Sequence, residues 1–430
     1  MAKILKYIGF LLLFMLFAII GMLFVVLESQ PLVVTNSSEQ VNQAESVKQL
    51  MQQLRNSVRN RTYKQTIYVN EAQANSLIGF AQRANPKISG KINISQDSSS
   101  VLVSFQLPKN PIGNYFNIDI LMLSGAGINI SHVKLGSMNV PGDFALDTLE
   151  YIANWYTDST IATQFVQQVE SVSMTKGHMQ LSVLPLDTFL QGLNDIKQGV
   201  GGIKDEEMRL RTAYYLKKLS ELKVGKLLTS QSLASYIGPI FDIAKSRSSY
   251  ETAPKENEAA IIALAIYAGH HRFANLVGDV QPIKGRAALP NSKTLLHSRA
   301  DLSQHFIFSA AIKILSEKGL SIAIGEFKEL MDRSNDGSGF SFVDLAADFA
   351  GVEFAVTATN IETASDTQQI LAGNNDEQLF FPDVIALPEG LSKKEFTNRF
   401  SKVDSPAYLN MLQEINSRIA TLPIHQTLAN

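Results

Sequence analysis

The chain has 430 residues, of which 45% are hydrophobic and 18% are charged, and its formal net charge is −2. This length suits two or three domains with cores of their own, and the composition excludes a disordered chain. The nearly neutral charge argues against a nucleic-acid partner. The chain has no cysteine, which excludes disulfides and thiolate metal sites, so any metal site has to use His, Asp and Glu.

An uncharged apolar run extends from Tyr7 to Leu27, about the 20 residues that a helix needs to cross a bilayer. Two lysines precede the run and a glutamate follows it, which places the N-terminus in the cytoplasm. The run is too long for a cleaved signal peptide and lacks a small-x-small cleavage site. We therefore predict a signal-anchor transmembrane helix over residues 1–30 and a single-pass protein of the bacterial inner membrane. Its membrane partner is bound through residues 7–27, and the bulk of the chain is periplasmic.

The spacing of apolar residues changes after this run. Residues 31–60 are polar and then amphipathic, which predicts a helical spacer. Over residues 61–198, short segments alternate apolar and polar residues, as half-buried antiparallel strands do. A helix should follow the first of these strands, with Asn70 as its N-cap. These features predict an α+β domain.

A glycine-rich, charged segment around Gly201 predicts a domain boundary. Beyond it, apolar residues at i, i+3 and i+4 spacing predict a helical domain over residues 203–360. Residues 361–430 indicate a loop-rich tail with a terminal helix. The predicted fold class is α+β: a transmembrane helix, an antiparallel-sheet domain and then a mainly α-helical domain.

Acidic residues and one histidine recur at helical spacing in the apolar segment 297–351. They form three groups, each on one face of a predicted helix: Asp301, His305 and Ser309; Glu329 and Asp332; Asp344 and Asp348. Buried carboxylates repel one another unless a cation or a shared proton compensates. We therefore predict that the groups meet in a polar seam, which either forms a site or locks helices together. Gly351, after the third group, permits close helix packing.

This pattern resembles the YfiM type of predicted periplasmic lipoproteins and, more distantly, the VanZ-like proteins. In both, an Asp and a His-Phe pair begin one helix, a Lys-Glu or Glu pair with a later Asp ends another, and an Asp-Leu-x-x-Asp/Asn motif begins a third. The matching residues are Asp301, His305, Phe306, Lys328, Glu329, Asp332, Gly339, Asp344, Asp348 and Gly351. The chain departs from the lipoproteins in lacking a lipobox cysteine. Neither family has a settled reaction, so the resemblance implies an envelope location and a shared helical module.

Residues of about 60–195 resemble the YpmS type of membrane-anchored extracytoplasmic proteins. The matching features are Leu135 and Gly136 before a short strand that ends at Pro141, and the helix that follows. This resemblance implies no particular chemistry.

The seam residues also suit metal or proton-transfer chemistry. The candidate catalytic residues are His305, Glu329 and Asp348. A divalent metal is the one cofactor that the sequence indicates, and its candidate ligands are Asp301, His305, Asp332, Ser334, Asp336, Asp344 and Asp348.

Part of this set approximates a calcium loop around the turn at Gly337, with Asp332, Ser334 and Asp336 as oxygen ligands and Asp344 closing the loop. The alternative is a glycine-rich turn between helices. In that case Ser341 would be the N-cap of the next helix.

The function that we predict first is non-enzymatic: a membrane-anchored periplasmic envelope protein that binds a lipid or protein partner through its helical domain. The alternative is a metal-dependent hydrolase or transferase acting on cell-envelope material. A protease is disfavoured because the sequence has no HExxH motif, no GxSxG motif and no cysteine. Geometry separates the first two: an enzyme needs His305 and carboxylates around an open cleft, whereas a helix lock would be closed and fully hydrogen-bonded.

Overall fold

The computed structural model describes residues 13–15, 17–18, 20–192, 206–316, 324–325, 328–329, 332–333 and 337–426. The chain divides into two units, Met1–Asn194 and Asp195–Asn430. The predicted boundary at Gly201 lies outside the described residues. As predicted, the fold is α+β, with an antiparallel sheet in the first unit and a helical C-terminal region.

The first unit contains two antiparallel sheets. Its strands in chain order are β1 (Leu27–Glu28), β2 (Gln65–Asn70), β3 (Ile88–Ser95), β4 (Ser98–Gln106), β5 (Tyr115–Leu123), β6 (Gly125–Ala126), β7 (Asn129–Leu135), β8 (Met138–Pro141), β9 (Val169–Thr175) and β10 (His178–Val183). The larger sheet has the order β3-β4-β5-β7-β8, with β1 also paired to β5, and the smaller has the order β2-β10-β9-β6. The alternating segments of the sequence therefore form antiparallel strands, as predicted.

The predicted transmembrane helix finds no support in the described residues of the N-terminal apolar run. In the part of the chain that the structure describes, no helix combines the length and the apolar character needed to cross a membrane. Helical structure ends at Val26, because Leu27 and Glu28 pair instead with Phe116 and Tyr115 at the start of β5.

This finding contradicts the predicted single-pass topology and the inner-membrane, periplasmic location deduced from it. It also removes the support for the inner membrane as a partner through residues 7–27. Of that predicted span, residues 7–12, 16 and 19 lie outside the described residues.

Two of the described helices of the first unit begin at a side-chain cap, at Asn36 and at Asn70. The described helices are α1 (Ser37–Gln40), α2 (Ala44–Arg59), α3 (Glu71–Ala84), α4 (Gly142–Thr157) and α5 (Ile161–Gln168). The Asn70 side chain accepts a hydrogen bond from the Gln73 N–H, and the Gln73 side chain accepts one from the Asn70 N–H, at 2.8 and 2.9 Å. This capping box confirms the predicted cap. In the predicted spacer, α2 buries Val47 and Leu50 and contacts α3.

The second unit is mainly helical. Its helices are α6 (Glu206–Glu221), α7 (Ala234–Arg247), α8 (Ala253–Leu264), α9 (Ala274–Val277), α10 (Ala300–Leu315), α11 (Phe342–Thr359), α12 (Ala364–Leu371), α13 (Lys393–Phe400) and α14 (Pro406–Ala420). Two short strands, β11 (Gln231–Ser232) and β12 (Thr294–Leu295), pair in parallel. The helices α10 and α11 make the most extensive contact in the unit. A methyl group on Gly351 would overlap the Phe306 carbonyl, which confirms the predicted close packing.

Residues 361–426 contribute to the core of this unit. The ring of Phe306 in α10 lies 5.2 Å from that of Phe354 in α11 and 5.4 Å from that of Phe380 in this C-terminal segment. A second aromatic cluster joins Phe340 to Phe396 of α13 at 4.7 Å between ring centroids. The segment predicted as a loop-rich tail thus contains three helices and packs as part of the fold.

Candidate functional site

Polar residues of the predicted seam converge where α10 packs against α11. Nδ1 of His305 lies 3.0 Å from Oδ1 of Asp348, and its Nε2 lies 3.5 Å from Oδ2 of Asp344. The Ser309 hydroxyl donates a 2.7 Å hydrogen bond to the same oxygen of Asp348. One imidazole on α10 therefore bridges two carboxylates on α11.

Glu329 brings a third carboxylate to this place, and its side chain is only 1% exposed. It accepts a 3.1 Å hydrogen bond from the backbone N–H of Ser341 and a 2.9 Å hydrogen bond from Nζ of Lys328. The Ser341 hydroxyl accepts a 3.0 Å bond from the N–H of Asp344, so Ser341 is the N-cap of α11, as the alternative of a glycine-rich turn predicts. Two carboxylates thus lie at the N-terminus of α11, where the helix dipole favours negative charge.

The local sequence explains how these side chains are oriented. Spacing by four places Asp344 and Asp348 on one face of α11, and Gly351, three residues further on, allows α10 to approach that face. Gly325 leaves room for the second carboxylate, because a Cβ atom there would lie 2.6 Å from Oδ2 of Asp348. Side chains at either glycine would displace the site.

Two other predicted residues lie at the edge of the cluster. Asp301 is half exposed, and its Oδ2 lies 2.6 Å from Nη2 of Arg299, which also lies 3.2 Å from Oδ1 of Asp344. Oδ2 of Asp332 lies 3.1 Å from Nζ of Lys328. Asp301 and Asp332 therefore pair with cations beside the cluster.

Two of the predicted metal ligands lie outside the described residues, and two residues of the site were not identified from helical spacing. Ser334 and Asp336, the remaining candidates of the calcium loop, lie outside the described residues. Arg299 was not among the predicted site residues, because its partner Glu389, 2.6 Å away, is 90 positions along the chain. Lys328 entered only through the family resemblance.

Burial and neighbouring charges shift the pKa values at the site. Burial lowers the pKa of His305, but Asp348 and Asp344 outweigh it and raise this pKa to about 9. Burial raises the pKa of Glu329 to about 7 although Lys328 opposes the shift, and burial also raises the pKa of Asp344. These raised pKa values show that burial of the two carboxylates outweighs the neighbouring cations, which lower the same pKa values.

Three of these residues can hold a metal ion. The ligand atoms of His305, Glu329 and Asp344 all lie within 4.8 Å of one another. Zn²⁺ ligands lie about 2.0–2.2 Å from the ion, so side-chain shifts of about 1 Å would complete this arrangement. Asp348 holds Nδ1 of His305 and so directs Nε2 toward Asp344, which is the usual role of a carboxylate behind a metal-bound histidine.

One oxygen of the seam lacks a hydrogen-bond partner among the described residues. Oδ2 of Asp348 is buried and has no hydrogen-bond partner within the described ranges. A buried polar atom without a partner destabilises a fold, whereas functional sites often retain such atoms. The observed network is therefore incomplete at the residue that orients His305.

Comparisons of the chain with known protein families, with curated proteins and with solved structures find no match. The functional proposal therefore rests on the residues of the site.

Proposed function

We propose that the helical unit binds a divalent metal ion through Nε2 of His305 and the carboxylates of Glu329 and Asp344. The observation that carries this proposal is the convergence of these three ligand atoms within 4.8 Å. A set of one imidazole and two carboxylates suits Zn²⁺ or Mn²⁺. It suits Ca²⁺ less well, because Ca²⁺ takes about six to eight oxygen ligands.

The charges at the site support a cation. Glu329, Asp344 and Asp348 carry three negative charges when ionised, and the nearby cations Lys328 and Arg299 are shared with other acids. A divalent ion would add the positive charge that the three carboxylates need. In the metal-free site, a proton on His305 and partial protonation of Glu329 supply the balance, as their raised pKa values of about 9 and about 7 indicate. Since the metal must replace these protons, its affinity should rise with pH between about 7 and 9.

The second candidate function is metal-dependent hydrolysis or group transfer. Three protein ligands leave a coordination position for water or substrate, as in catalytic rather than structural metal sites. The side chain of Lys328 is 44% exposed beside Glu329, so positive charge reaches the protein surface next to the site. The binding of a lipid or protein partner through the helical unit stays a prediction.

Calorimetric titration of the metal-free full chain at pH 8 tests metal binding. We expect one Zn²⁺ or Mn²⁺ ion per chain and no saturable binding of Ca²⁺. His305→Gln and Asp344→Asn each remove a ligand and should abolish binding. Asp348→Asn should weaken binding by about 10- to 100-fold, since that carboxylate orients the histidine.

His178→Gln is the matched control, because this histidine is exposed and belongs to the first unit. The metal affinity of this variant should equal that of the wild type. Unchanged affinity and stoichiometry in His305→Gln would refute the proposed site. Turnover of nitrophenyl phosphate or acetate by the metal-loaded chain, lost in His305→Gln, would support the catalytic function; equal turnover by both would contradict it.

A further inference from the structure

A separate cavity lies along another face of α11 and shares no residue with the proposed metal site. Its volume is about 560 Å³, within the range of small-molecule pockets, about 300–1,000 Å³. Phe349, Glu353 and Thr357 line it from α11 at spacings of four, which places them on one helix face. The other walls come from α12, α14 and the C-terminal turn Pro423–His425.

The lining combines apolar side chains with acids. Phe349, Ile419 and Ile424 are 8%, 2% and 3% exposed, and together they form a nearly buried, apolar floor of the cavity. Glu353 and Asp366 add two carboxylates, and no lysine or arginine is among the described residues that line the cavity. Such a surface favours a ligand with an apolar body and a positive charge.

His425 offers a further contact inside the cavity. Its Nδ1 lies 2.8 Å from Oγ1 of Thr357, while its Nε2 is buried and has no partner among the residues that the structure describes. Burial lowers the pKa of His425, which keeps the ring neutral near pH 7. We assign the ring proton to Nδ1, from which it is donated to Thr357, and this tautomer leaves Nε2 as an acceptor for an N–H group of a ligand.

The polar groups of the cavity are arranged differently from those of the metal site. Within the described part of the chain, His305, Glu329 and Asp344 form the one group of His, Asp and Glu whose ligand atoms converge within 4.8 Å. The acceptors on Glu353, Asp366 and His425 are therefore too dispersed to surround a metal ion. Dispersed acceptors above an apolar floor suit an organic cation.

We propose that this cavity binds a small organic amine. Its ammonium group would lie against the carboxylates of Glu353 and Asp366, and its hydrocarbon part would cover the floor at Phe349, Ile419 and Ile424. The buried Nε2 of His425 would then accept a hydrogen bond from the ligand.

Titration of the full chain with pentylamine, pentanol and pentanoate tests this proposal, because the three compounds share a five-carbon chain and differ in charge. Pentylamine should bind about tenfold or more tightly than pentanol, since a charge-assisted hydrogen bond contributes at least that factor. Pentanoate should not bind. Glu353→Gln and Asp366→Asn should each lower the affinity for pentylamine about tenfold and leave that for pentanol unchanged.

Two further variants keep the test decisive. Glu362→Gln removes an exposed carboxylate that does not line the cavity, and should leave amine binding unchanged. Ala420→Leu fills space in the lining and should abolish binding of both pentylamine and pentanol, with the circular dichroism spectrum confirming the fold. Equal affinities for pentylamine and pentanol, or an equal loss in Glu362→Gln and Asp366→Asn, would overturn the proposal.

Discussion

The helical unit buries two charged clusters, and they are balanced in opposite ways. In the first, Glu256 is 4% exposed and both of its oxygens accept hydrogen bonds. Arg211 and the hydroxyl of Tyr215 donate at 2.5 Å, and Nε of Arg247 donates at 3.2 Å. One carboxylate thus meets two cations and a hydroxyl group, which compensates its burial, although Nε of Arg211 is also buried without a partner among the described residues.

The second cluster, around His305, has more acids than partners. Three carboxylates share His305, Lys328 and Arg299, and the last two cations also pair with Asp332, Asp301 and Glu389. Oδ2 of Asp348 has no partner within the described ranges. Burial raises the pKa of Glu329 to about 7. The difference indicates that the Glu256 cluster stabilises the fold, whereas the His305 cluster retains acids for a cation, as functional sites do.

Glu256→Gln should have the largest effect on stability. It leaves Arg211 and Arg247 without their buried counter-ion, and the free energy of unfolding should fall by about 3–5 kcal/mol. Urea denaturation measures this loss, with the exposed Glu251→Gln as the control. The folded variant should retain metal affinity. A loss below about 1 kcal/mol would show that the cluster does not stabilise the fold.

His305→Gln should flatten the pH dependence of stability in the metal-free protein. The folded pKa of about 9 exceeds the ordinary value of 6.5, so protonated His305 stabilises the fold fully below pH 6.5. This stabilisation is lost as pH rises through about 9, and amounts to about 3 kcal/mol. Urea denaturation from pH 6 to 10 should show the loss in the wild type and not in the variant. Parallel curves would contradict the ion pairs of His305.

Glu329→Gln should stabilise the metal-free protein at pH 8 while abolishing metal binding. Because burial raises the pKa of Glu329 from 4.5 to about 7, ionisation of this group destabilises the fold progressively as pH rises through that interval. The variant avoids this penalty and loses one contact with Lys328, so we expect a net gain of about 1–2 kcal/mol. Thermal denaturation of the wild type and the variant at pH 5 and pH 8 tests this, because the gain in stability should be larger at pH 8 than at pH 5. Destabilisation at pH 8 would mean that the acid is fully compensated.

Asp301→Asn should have the smallest effect. Its carboxylate is half exposed and pairs with Arg299 at the edge of the site, so the free energy of unfolding should fall by less than about 1 kcal/mol. The difference from wild type should vanish in about 1 M salt, which screens exposed charges. Metal affinity should change by less than a factor of about three. A large loss of metal affinity would return Asp301 to the ligand set.

Local patterns predicted the parts of the fold that depend on neighbours in sequence. The strand before Asn70, the cap at Asn70 and the cap at Ser341 were all predictable, because alternation and capping act within a few residues. Strand β9 follows α5 without an intervening turn, so no turn residues mark its beginning in the sequence. The apolar N-terminal run was misinterpreted because hydropathy does not show that Leu27 pairs with β5.

The site was predictable as far as its residues share a helix face. Helical spacing identified His305, Asp344 and Asp348 as residues on common faces, and they do meet. It misplaced Asp301, which lies in the first turn of α10, near solvent and beside Arg299. Arg211 and Glu256 are far apart in the sequence and meet only through tertiary packing, which the spacing of residues does not predict.

Anomalous diffraction from Zn²⁺-soaked crystals of the full chain, recorded at the zinc absorption edge, tests the central claim most directly. The account predicts one strong peak about 2.0–2.2 Å from Nε2 of His305 and from the carboxylate oxygens of Glu329 and Asp344. Well-ordered crystals with no peak between these residues, or with zinc only at the exposed pair His270 and His271, would contradict it.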